Sequence, residues 1–162
     1  MVAYLTMRHY GVSELAAQSS IATLSEIEHY VRTTYGVAEE SYGGTDWTPR
    51  PHGIGQGNGY APALWAGISS LLLRVMSDNG YGTKLTSPIT KAFLHMAGYS
   101  FVDDTDLIET ALPGETWETL FERTKEGLKL WESLIRTTGG AIEPTKSHWV
   151  RISHKWKTRN QA

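Results

Sequence analysis

No cysteine occurs among the 162 residues, which excludes disulfides, thiolate zinc sites and a thiol nucleophile. A reducing compartment suits such a chain. Long apolar runs are also missing. The longest, from Ala61 to Leu73, is interrupted by Ser69 and Ser70 and stops at Arg74, too short to span a bilayer. Near the N-terminus, Arg8 and His9 follow the first seven residues too soon to leave room for a signal-peptide core. We therefore expect a soluble, intracellular chain with no membrane partner. Charge of one sign is scarce too. The net charge of −2 gives no global attraction to a polyanion.

Several catalytic signatures are absent. The six histidines (His9, His29, His52, His95, His148, His154) form no His-x-x-x-His pair and no Glu-bearing zinc motif. No Gly-x-Ser-x-Gly elbow is present. The glycine-rich stretch 53–62 (GIGQGNGYAP) is neither a dinucleotide fingerprint, its third glycine being out of register, nor a P-loop, since no Lys-Ser or Lys-Thr follows.

What is there is an ordinary globular composition, 40% apolar and 20% charged, in a chain long enough for one domain with a real core. The first thirty-odd residues read as helical with a break at Tyr10-Gly11, and Leu24, Ile27 and Val31 continue the helical spacing up to Tyr35-Gly36. Residues 43–59 read as loop. Leu64, Ile68, Leu71, Leu72 and Val75 mark an amphipathic helix over about 61–76. A β-like region follows over about 83–108, and its centre predicts a β-hairpin of two apolar runs around an acidic tip. A long helix is expected over 115–137, with Trp117, Leu120, Phe121, Leu128, Trp131, Leu134 and Ile135 on one face, ended by Gly139-Gly140. Residues 147–156 alternate like an edge strand. Together these predict an α+β domain, an antiparallel sheet with helices packed on one face.

The residues with chemical potential begin with Asp103 and Asp104 at the predicted hairpin tip. Two like charges about 4 Å apart repel by roughly 4 kcal/mol at an effective dielectric near 20. Such a pair takes up a proton or recruits a cation. Mg²⁺ (or Mn²⁺) binds oxygen ligands and keeps positions open for substrate phosphates. A solvated acidic turn is the plain alternative, because Asp is common in hairpin loops. Gln56 and Gly57 precede a helix whose free N–H groups can meet phosphate, although most such loops only lead into a helix. Lys146 follows a tight turn and can offset phosphate charge, or simply face solvent. Five basic residues (Lys146, Arg151, Lys155, Lys157, Arg159) against Glu143 alone give the last stretch, 141–162, a local positive charge, with 157–162 a basic tail.

Three segments acquire a joint meaning. Gln56-Gly57 with Ala61, Pro62, Leu64 and Trp65 resembles the QGxxxSPxLF box of reverse transcriptases, with Ala61 in place of the usual serine. Phe101-Val102-Asp103-Asp104 resembles their aromatic-x-Asp-Asp box, and Gly140 through Lys146-Ser147 resembles the following glycine-turn-lysine block. The boxes stand in the family's order, and the resemblance covers about residues 7–156.

The resemblance implies a single, incomplete polymerase palm from a retroelement, which transfers nucleotides from dNTP to a primer 3′-hydroxyl on an RNA or DNA template. It implies Asp103 and Asp104 as metal ligands, Gln56, Gly57 and Phe101 beside nucleotide and template, and Lys146 near the phosphates. The family's third carboxylate lies upstream of the opening helix, whereas the first acid here is Glu14. Most of the fingers and the thumb are also unaccounted for. The expectation is therefore a truncated chain beginning at an internal Met1 and inactive as it stands. The competing expectation is a non-catalytic retroelement remnant, or a domesticated module that only binds a partner.

Overall fold

A computed structural model describes residues 1–44, 59–102 and 104–153. Two short helices open the chain, α1 (Val2–His9) and α2 (Glu14–Glu26). The break between them falls where the sequence puts it. Gly11 takes a φ of 86°, and Val12 N–H returns to the Met7 carbonyl at 3.0 Å. Ser13 then caps α2, its hydroxyl accepting from Ala16 N–H at 3.3 Å. Ala17, fully buried, lets the two helices approach closely.

Helix α2 stops at Glu26, earlier than the spacing of Leu24, Ile27 and Val31 predicts. Val31 belongs instead to β1 (Glu28–Thr33), which pairs antiparallel with β2 (Gly36–Gly43) around Thr34-Tyr35. Nearly every side chain of this hairpin is exposed, so no buried face imposes the alternation by which a strand is read. The stacked His29 and Tyr42 rings, 5.1 Å apart, join its two strands.

Helix α3 (Ala61–Asp78) is the spine. Pro62 in its first turn suits a position whose N–H has no helical partner. Leu64, Leu72 and Met76 are buried at helical spacing. Gly80, at φ 87°, reverses the chain after it, and Tyr81 N–H bonds the Met76 carbonyl at 3.1 Å. Two consecutive hairpins follow: β3 (Thr83–Thr86) with β4 (Phe93–Met96), then β5 (Gly98–Phe101) with β6 (Asp104–Leu107). Buried Ala97 joins them. Gly82, at φ 111°, lies so close to Met96 and Ala97 that an added Cβ would meet their backbone at 2.6 and 2.7 Å. Helix α4 (Trp117–Thr137) is capped by Thr116, whose hydroxyl accepts from Thr119 N–H at 3.3 Å.

The class is α+β, as expected. Within it, the strands form three separate two-stranded antiparallel ladders among the described residues instead of one sheet. Two apolar clusters hold the four helices and the last two hairpins together. Met7, Ala17 and Leu64 unite α1, α2 and the start of α3, while Leu72, Met76, Ala97 and Trp131 unite α3, the hairpin junction and α4. Leu128, placed by its spacing on the buried face of α4, is half exposed; Gly127 and Trp131 carry that face instead. Residues 147–153 join no ladder, so the predicted edge strand is absent from its described part. The reason is a competing attachment: the Trp149 ring packs on Phe121 and Trp117, at 5.5 and 6.0 Å between centroids. Burial is sparse overall. Among the described residues, seven apolar side chains are buried. Among the described residues, no helix is long and apolar enough to cross a membrane.

Candidate metal-binding hairpin

The β5–β6 ladder pairs Gly98 with Leu107, Tyr99 with Asp106, Ser100 with Thr105 and Phe101 with Asp104. Two residues, 102 and 103, connect the strands, and Asp104 is the first residue of β6. Alternation gives the ladder two unlike faces. Ser100 and Thr105 are partly buried, with their hydroxyls 2.9 Å apart, and Leu107 continues that face into the core. Tyr99, Phe101, Asp104 and Asp106 make the other face, and all four are exposed.

Val102 has a φ of 57°, in the left-handed region where a β-branched side chain crowds its own backbone. Strain of this kind concentrates at functional sites. The structure brings two of the predicted residues, Phe101 and Asp104, directly opposite each other. Asp103, Gln56 and Gly57 lie outside the described residues. Asp106, which the sequence leaves without a role, accepts a hydrogen bond from the Tyr99 hydroxyl; that bond, with the carboxylate's charge, raises the phenol above its ordinary pKa.

Lys146 sits in an exposed turn after α4, where its N–H bonds the Glu143 carbonyl at 3.1 Å and Thr145 donates its hydroxyl to the Glu143 carboxylate at 2.7 Å. No hydrogen bond or ion pair among the described residues links its ammonium to Asp104. What holds this turn near the start of α4 is the aromatic group three residues on. Trp149 lies against Trp117 and Phe121, Arg151 covers the Trp117 ring at 4.3 Å, and Lys125 covers Phe121 at 4.7 Å.

One cluster escapes a reading by motif. Arg123 of α4 donates Nε to Glu115 at 3.1 Å and Nη2 to Glu115 at 3.0 Å and to the Thr110 carbonyl at 2.8 Å; Nη1 reaches Glu109. The other Glu109 oxygen accepts Gly82 N–H at 2.8 Å. Burial raises the Glu109 carboxyl, against the opposing pull of Gly82 and Arg123. The Glu115 carboxyl is lowered, first by its hydrogen bonds from Arg123 and then by the Leu112 N–H. The readable signal is a lone arginine on a helix face otherwise filled by Leu120, Gly127 and Trp131.

Among the described residues, no three carboxylate or imidazole groups come close enough to hold a metal ion. No family model, curated protein or solved structure matches the chain.

Proposed function

We propose that this chain is the palm segment of a reverse transcriptase, an RNA-directed DNA polymerase of a retroelement. Asp103 and Asp104 hold Mg²⁺ or Mn²⁺ against the phosphates of an incoming dNTP. The observation that carries this reading is the hairpin. Asp104 opens β6 directly opposite the Phe101 ring, and the strained Val102 follows that ring at the start of the connection. An exposed bend lets substrate reach the ions, and two ions can stabilise both the attacking and leaving oxygens of a phosphoryl transfer. Lys146 neutralises charge on the phosphates, and Gln56 and Gly57 border nucleotide and template.

The third carboxylate that the family uses would be supplied by a segment preceding α1. The test is primer extension on an RNA template by the chain lengthened at its N-terminus, with Asp103→Asn alongside. Copying of RNA that stops with Asp103→Asn is expected. Undiminished synthesis by that variant removes the reading, and salt-sensitive RNA binding with no metal dependence would replace it with a binding module.

A further inference from the structure

We infer that Arg123 is a positioning residue that fixes the β5–β6 hairpin, and with it Asp104, against the first half of α4. The metal half of this inference rests on the proposed polymerase reading; the mechanical half does not.

Three partners of one guanidinium come from one short stretch. Glu109 and Thr110 follow β6 directly, and Glu115 precedes α4. Through Glu109 the network also reaches Gly82 N–H at the root of β3. The side chains of Arg123, Glu109 and Glu115 are 21%, 10% and 7% exposed, so the fork is largely shielded from water. Arginine's planar fork holds a carboxylate by two parallel bonds and fixes its orientation, which a lysine cannot do.

Apolar packing does not supply the same constraint. Leu107 reaches the Trp131 cluster, but the hairpin beyond it carries the exposed Tyr99 and Phe101 and the partly buried Ser100–Thr105 pair. A ladder of four residue pairs has little stability of its own. β5 rests against α3, and the Arg123 fork ties the other end, where β6 leaves the ladder, to α4. Two carboxylates facing one guanidinium also explain why removing Arg123 acts on the hairpin. Glu109 and Glu115 would then repel each other without a counter-ion, and the segment that joins β6 to α4 would open.

The experiment compares wild type, Arg123→Met, Arg123→Lys and Leu130→Ala, the last a core substitution on the same helix. Amide hydrogen exchange is read at the β5–β6 hairpin and at α3, and Mn²⁺-induced line broadening is titrated at the hairpin signals. Arg123→Met should speed hairpin exchange by about tenfold or more, the scale of losing a hydrogen bond to a charged group, and should weaken the Mn²⁺ midpoint in the same direction. Exchange at the centre of α3 should follow only the overall loss of stability. Arg123→Lys should recover part of that stability without restoring hairpin protection. Leu130→Ala should lower stability and leave the Mn²⁺ midpoint in place.

Hairpin exchange in Arg123→Met within about twofold of its α3 exchange, both relative to wild type, overturns the inference, as does an equal Mn²⁺ shift in Leu130→Ala. Absence of any Mn²⁺ response in the wild-type chain counts against the polymerase reading alone, and the exchange comparison then decides on Arg123. Should Arg123→Met fail to fold, Glu109→Gln carries the same comparison.

Discussion

Replacing Val102 by glycine should stabilise the chain, an unusual direction for a substitution at a candidate site. At φ 57° an L-residue bears about 1–2 kcal/mol of backbone strain, and β-branching brings it to the upper end of that range. The side chain is 67% exposed, so its removal gives up little burial. Glycine brings its own cost, about 0.5–1 kcal/mol of extra unfolded-state entropy. The net is a gain of about 0.5–1 kcal/mol, or about 2 °C in Tm for a chain of this length. Proline forces φ to about −65° and should lose more than about 1 kcal/mol. Urea unfolding followed by far-ultraviolet circular dichroism measures both. A Val102→Gly variant less stable than wild type, beside a neutral Val102→Pro, would show that the bend does not have the left-handed geometry on which its strain rests.

Gly127→Ala sets helix propensity against packing. Alanine gains about 1 kcal/mol in the middle of a helix, but its Cβ would stand 2.9 Å from the Tyr81 ring, and overpacking costs about 1–3 kcal/mol. A net loss of about 1 kcal/mol is expected by urea unfolding, reversed in a Tyr81→Leu background; a gain in the wild-type background would show that the ring yields freely. Glu115 should shape the acid limb of stability. Its carboxyl is lowered in the fold, so its contribution is present above the ordinary value of 4.5 and is lost as pH falls through the lower folded value. The difference in Tm between wild type and Glu115→Gln should therefore shrink as acid is added below pH 4.5, and a difference that holds constant or widens would refute the assignment.

The helices were legible because their signals are local. Gly11 and Gly139 reverse the chain, and Leu64, Ile68 and Leu72 repeat at helical spacing. The β5–β6 hairpin was legible for the same reason, since apolar runs flank its acidic bend. The β1–β2 hairpin was not, because it buries almost nothing and Val31 happens to extend the spacing of the helix before it. The strand expected at 147–156 alternates correctly, yet Trp149 finds more contact on two aromatic rings than on a strand edge. The Arg123 network could not be read by spacing, because its carboxylates lie eight and fourteen residues away and only the turn after β6 brings them round.

Ile68 belongs to both apolar clusters, packed against Leu64 and its neighbours on one side and against Leu72 and Trp131 on the other. Two small cores thus share one rod, and the cooperativity between them passes through a narrow waist. Among the described residues, α1 packs on both α2 and α3, and α3 packs on β4, β5 and α4, so the melting of either half is communicated to the other through α3. Thinning that waist would let the N-terminal half come apart while the half bearing the aspartate bend stayed folded.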